Sequence, residues 1–163
     1  MIYKFYDTCS LLLQVEHLFE EENAKLVVSS ITLQELEDIK TSSHKDADIK
    51  YSARKLLHQL EENEGKYEVH IFKNEMLKPF IEKDLEINND IKILATAFDY
   101  DCNIHPDETM FVSNDLALRI IANLFFGSDS VLTVDGEDLD NYKGYQEVYC
   151  NDEELSNFYA NLD

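Results

Sequence analysis

Five short apolar runs alternate with amphipathic stretches along most of this chain. Residues 2–6 (IYKFY), 25–30 (KLVVSS), 67–72 (YEVHIF), 109–113 (TMFVS) and 130–134 (SVLTV) read as strands. Helical spacing fills the gaps. Leu12, Val15, Leu18 and Phe19 predict a helix over 10–22, and Leu33, Leu36 and Ile39 predict one starting at Thr32. Ile49, Ala53, Leu56, Leu57 and Leu60 predict a long amphipathic helix over 46–64, ended by Gly65. Further helices are expected over 76–85, from Asn88-Asn89-Asp90 to about residue 100, and over 115–126. The order β-α-β-α-α-β-α-α-β-α-β demands an α/β fold with a central, mostly parallel sheet flanked by helices. With Gly 4 and Pro 2, the chain lacks the turn residues of a β-sandwich.

A length of 163 residues fits one domain. The pattern is compact over 1–134 and weakens beyond it. Residues 135–163 read as an acidic C-terminal extension that completes the fold or leads to a further domain, with an edge strand or hairpin over 142–149 and a helix over 152–161. The net charge is -20, which is unusual for a polyanion binder. A basic stretch nevertheless stands out: Lys40, Lys45, Lys50, Arg54 and Lys55 share residues 40–55 with only Asp46 and Asp48. Cys9, Cys102 and Cys150 have no metal-ligand spacing and read as free thiols of a reducing compartment. No apolar run approaches the ~18 residues of a membrane span. Asp7 interrupts any signal-peptide core, so the expected location is cytoplasmic.

Four acids fall at strand ends or helix starts. Asp7 follows the first strand, Glu35 lies one turn into the helix after the second, Asp90 opens a helix, and Asp115 follows the strand TMFVS. Each also has a purely structural use. Asp7 and Asp115 suit N-caps, Thr32 to Glu35 matches a capping box, and Asp90 suits a helix's first turn. Together they suggest more. Sites in open parallel sheets form at the carboxyl ends of strands. Gathered carboxylates repel unless a cation lies between them, and hard divalent cations take oxygen ligands.

The segments YDTCSLLL, VVSSITLQELEDIK, NNDIKILATA and FVSNDLALRIIA, in this order, resemble the PIN-domain nucleases over most of residues 2–134. ITLQELEDIK with SARKLLHQLEE, and NDLALRIIA followed by YKGYQEVY, are most similar to the N-terminal PIN domain of PhoH-like proteins. The resemblance implies a three-layer PIN-like fold. It also implies a metal-dependent endoribonuclease acting on single-stranded RNA. Asp7, Glu35, Asp90 and Asp115 would then be the catalytic residues, holding Mg²⁺ or Mn²⁺. A PhoH-type ATPase domain becomes a candidate partner in a longer chain, and homo-oligomerisation stays open. One position departs from the family: Cys9 stands where Asn is common, and a thiol poorly replaces an amide that orients a carboxylate.

Thr8, Ser113 and Asn114 lie beside the acids and could hydrogen-bond them or a metal-bound water, although turn chemistry explains Ser113 and Asn114 equally well. Lys45, Lys50 and Arg54 could contact RNA phosphates, or form a solvated face. Arg119, four residues after Asp115, could pair with that acid or approach phosphate. Asp99 and Asp101 read as solvated. The alternative function is a catalytically weak or inactive PIN-like binding or regulatory domain. A phosphatase with a nucleophilic Asp7 is disfavoured, because Cys9 occupies the position of its second Asp.

Overall fold

A computed structural model of the protein describes residues 1–134. β1 (Ile2–Tyr6) forms the middle of a five-stranded sheet, with β2 (Ala24–Ser29) and β3 (Tyr67–His70) on one side. β4 (Thr109–Val112) and β5 (Val131–Leu132) lie on the other. Every strand pair is parallel. The helices are α1 (Thr8–Leu13), α2 (Ser30–Thr41), α3 (Ala47–Glu62), α4 (Lys78–Glu82), α5 (Asn89–Asn103) and α6 (Leu116–Ala122). A 3₁₀ turn, Asn74–Leu77, leads into α4, where Pro79 sits in the first turn and costs no hydrogen bond. The predicted order of elements and the parallel sheet are both present.

Side-chain alternation along the strands divides the core. Val27, Phe5 and Phe111 point to one face, where Ile93, Leu94 and Ala97 of α5 meet Phe80 and Phe126. Leu26 and Val28 point to the other, against Leu11, Leu36, Ile39, Ala53 and Leu56. β2 is thus covered on both faces, as expected of an inner strand in a parallel sheet. α3 shows why its sequence folds locally. Asp46 caps its N-terminus by accepting from Asp48 N at 2.8 Å. Gly65 leaves its C-terminal end at φ +92°, a conformation that side chains resist.

Three expectations need correction. The helix predicted over 10–22 stops at Leu13. From Gln14 to Glu20 the chain tightens into i→i−3 turns, Gln14 N to Leu11 O at 2.9 Å and His17 N to Gln14 O at 2.8 Å. These turns still bring Val15, Leu18 and Phe19 onto the core. Asp99 and Asp101 are only partly solvated: Asp99 Oδ2 lies 2.8 Å from His70 Nε2, and Asp101 Oδ1 accepts from Asp107 N at 3.2 Å. Of the three cysteines, Cys102 is free and exposed, whereas Cys9 is disulfide-bonded rather than a free thiol. Cys150, the acidic extension 135–163 and the elements predicted within it lie outside the described residues.

Candidate active site

The chain builds outward from β1 through β2 and β3, then returns to lay β4 on β1's other side. At such a switch the connections leave in opposite directions and open a crevice at the strands' carboxyl ends. Tyr6 pairs with Val112, so the next residues, Asp7 and Ser113, stand side by side at that crevice.

Asp7 has two tasks. Its Oδ1 accepts from Ser10 N at 2.8 Å and caps α1. Its Oδ2 accepts from the Ser113 hydroxyl at 2.5 Å. The residue is 5% exposed. Burial pushes its carboxyl pKa up, the nearby Asp115 charge adds to the push, and the hydrogen bonds from Ser10 and Ser113 oppose it. Ser113 Oγ also accepts from Asp115 N at 3.0 Å, so one hydroxyl links the two acidic residues. Asp115 caps α6 through Leu118 N at 3.3 Å. Asn114 N donates to Ser10 Oγ at 3.0 Å, and Asn114 Oδ1 accepts from Val134 N at 2.9 Å.

Glu35 is not half of a capping box. Ser29 caps α2, accepting from Ile31 N at 3.2 Å, and this places Thr32 inside the helix. Glu35 Oε1 instead accepts from Thr8 Oγ1 at 2.7 Å, which brings it beside the residue next to Asp7. Thr32 Oγ1 is buried without a hydrogen-bond partner among the described residues. Asp90 lies in the first turn of α5 behind the cap Asn88, which accepts from Ile91 N at 2.9 Å. The helix dipole favours an acid there. α5 is pinned to β2 by Ser29 Oγ donating to Thr96 Oγ1 at 3.0 Å.

The PIN-domain family model matches residues 5–125, well over half of the chain. This chain belongs to the PIN-domain family. PIN domains are typically nucleases and generally use divalent metals, so a nuclease-type enzyme is the coarse functional assignment. Among the described residues, the five-stranded parallel sheet with its six helices is a PIN-like α/β fold. No curated relative matches the chain.

The crevice of this PIN domain offers the donors that hard divalent cations prefer, carboxylate and hydroxyl oxygens. Among the described residues, no group of three or more His, Cys, Asp or Glu stands close enough to hold a metal ion. The structure associates Asp7 with Asp115 and holds Glu35 through Thr8, but stops short of a three-carboxylate cluster.

The basic residues separate. Lys50 and Arg54 lie on α3, and Lys45 in the turn before it. Lys55 pairs with Glu16. Arg119 does not use its Nη1 on Asp115; that atom donates to the Ser113 carbonyl at 2.8 Å. Ser10, fully buried in α1, accepts from Asn114 N and is a positioning residue that the sequence did not single out. Nor did it single out the Ser29–Thr96 and His70–Asp99 pairs. Their partners lie 67 and 29 residues apart, and no local spacing signals such contacts. No helix of the described residues is long and apolar enough to cross a membrane.

Proposed function

We propose that this PIN domain is a divalent-metal-dependent endoribonuclease that hydrolyses phosphodiester bonds of single-stranded RNA. The observation that carries the reading is the linkage of Asp7 and Asp115 through Ser113 at the β1/β4 switch point. Mg²⁺ or Mn²⁺ would be held by Asp7, Glu35, Asp90 and Asp115. When bound, such an ion lowers the pKa of water and stabilises charge on the leaving oxygen. The chain's own part is positional. Ser113 and Ser10 fix the Asp7 carboxylate, Thr8 fixes Glu35, and Asn114 holds the turn that carries Asp115. Lys45, Lys50, Arg54 and Arg119 are the proposed phosphate contacts. The proposed setting is cytoplasmic, with a PhoH-type ATPase domain as the candidate partner and self-association as a further possibility to be measured.

The test is calorimetric titration of Mn²⁺ into the parent chain and Asp7→Asn, with labelled single-stranded RNA incubated in parallel. Binding and cleavage should both vanish in the variant. Cleavage that survives unchanged in Asp7→Asn would falsify the assignment.

A second reading, a PIN-like binding or regulatory domain that does not cut, is favoured by the net charge of -20 and by Cys9 in place of the family's Asn. It predicts no divalent-ion binding at millimolar concentration.

A further inference from the structure

An aromatic ring and a cation meet at the same edge of the sheet as the acids. β3 ends at His70, which pairs with Ser29 of β2, and Phe72 follows two residues later. The Phe72 N–H donates to Ser30 Oγ at 2.9 Å. Beside it, Ser29 Oγ donates to Thr96 Oγ1 at 3.0 Å, and Thr96 Oγ1 donates to the Lys92 carbonyl at 2.7 Å. These bonds tie the loop after β3 and the start of α5 to one strand end. They hold Lys92 Nζ 5.9 Å from the centre of the Phe72 ring. Both side chains are half-buried. Phe72 rests on the core without being closed off from solvent.

Lys92 completes the first turn of α5, two residues after Asp90. β3 lies two strands from β1, so Phe72 stands roughly 10 Å to the side of Asp7, two strand spacings of ~4.8 Å. Among the described residues no carboxylate forms an ion pair with Lys92, on a chain with 34 acids against 14 Lys and Arg. Proteins grip a single strand without reading its sequence by stacking bases on aromatic rings and meeting the backbone with cations. A cation–ring contact that solvent reaches is weak, so a base can take the ring and release the ammonium. A second pair of this kind, Lys83 Nζ at 5.8 Å from the centre of the Phe125 ring, lies elsewhere. Phe125 follows α6, which leads away from Asp115, and its ring already stacks on Phe80 at 4.0 Å.

We propose that Phe72 and Lys92 form a nucleotide subsite beside the acids: a base of the single strand stacks on the Phe72 ring, and the Lys92 ammonium turns from the ring to the adjoining phosphate. This rests on the reading of the crevice as a single-stranded RNA nuclease and adds where the strand is gripped next to it.

Fluorescence anisotropy in chelator tests this, with labelled oligoadenylate and an abasic strand of the same length as probes. Phe72→Leu keeps an apolar side chain on the core. It should weaken oligoadenylate binding about tenfold or more, the loss expected for one stacked base, and should leave the abasic strand unaffected. Phe72→Tyr should restore binding. Lys92→Gln should weaken both strands and lower the slope of log K on log salt by about 0.7, one phosphate contact. Lys83→Gln should change neither. Calorimetry should give the parent's Mn²⁺ affinity in Phe72→Leu and Lys92→Gln, which separates the subsite from the cation site. Lys92→Gln alters a half-buried side chain outside the core, so its result stands even if Phe72→Leu fails to fold. Unchanged oligoadenylate binding in Phe72→Leu, an equal loss for both strands there, an unchanged salt slope in Lys92→Gln, or a matching effect from Lys83→Gln would each overturn the subsite and leave the nuclease reading standing. A parent that binds neither strand would overturn both.

Discussion

Ser113 Oγ lies 2.5 Å from Asp7 Oδ2 and joins residues 106 positions apart in the chain. The contact is possible because β1 and β4 are neighbours in register. It gives the buried carboxylate a donor from a distant part of the chain, in addition to those of the nearby Ser10.

Ser113→Ala should therefore destabilise the fold by about 1–3 kcal/mol, the cost of leaving a buried acceptor without its partner. The bond favours the ionised form of Asp7. Its loss should raise that carboxyl's pKa further and should weigh most where Asp7 is ionised. Urea denaturation of the metal-free protein should show a larger loss at mildly alkaline than at mildly acid pH. Equal losses would mean that Ser113 does not report the charge on Asp7.

Asp7→Asn should make the metal-free protein more stable at neutral pH. The folded pKa of Asp7 lies above its unfolded value, chiefly through burial. Between those two values the native chain holds a proton that the unfolded chain has released. Stability from this group is thus greatest at low pH and is lost as pH rises through the folded pKa. Asparagine keeps one acceptor oxygen for Ser10 N and turns an amide donor towards Ser113 Oγ, without the charge. The advantage of the variant, read by thermal melts in chelator, should shrink as pH falls towards the ordinary carboxylate range. Adding Mn²⁺ should reverse the ranking, since a cation bound only by the parent contributes about 2.7 kcal/mol at a hundred times its Kd.

The sheet could be read from sequence because its strands are apolar runs whose side chains alternate between two buried faces. KLVVSS carries that signal in a few residues, and β2 shows it in Leu26, Val27 and Val28. Helix ends were harder. Leu12, Val15, Leu18 and Phe19 fit helical spacing and still pack on the core, yet only the first lies in α1, because tight turns can present the same face. Thr32 and Glu35 fit a capping box until Ser29 took the cap. Asp7 and Asp115 were readable as strand-end acids. The hydroxyls that tie them together were only half readable, since a turn also explains Ser113. Thr8 reaching Glu35 depends on how α1 and α2 pack, which no local pattern encodes.

Thr8→Val should release Glu35 without altering the volume of the buried site. A hydrogen bond to a charged group contributes about 1.5–3 kcal/mol. Part of that should be recovered, because Thr8 is only one partner of a carboxylate that water can also reach. The more telling readout is divalent-ion affinity by calorimetry, which should fall about 10-fold or more, as when a group orienting a ligand is removed. Unchanged affinity would separate Glu35 from the proposed cation site.

Salt dependence can locate the RNA surface. Each phosphate neutralised by a side chain steepens the dependence of log K on log salt by about 0.7 for a single strand. Lys50→Gln and Arg54→Gln, both on α3, should each lower that slope by about one such step, measured by fluorescence anisotropy in a chelator so that cleavage does not intervene. Lys55→Gln should leave it unchanged, because Lys55 is engaged by Glu16 on the neighbouring turn. Equal effects from all three would mean that the Lys55–Glu16 pair opens for RNA. No effect from any of them would move the strand off α3, leaving Lys45 and Arg119, the latter already bonded to the Ser113 carbonyl at the crevice, as the remaining contacts expected from the sequence.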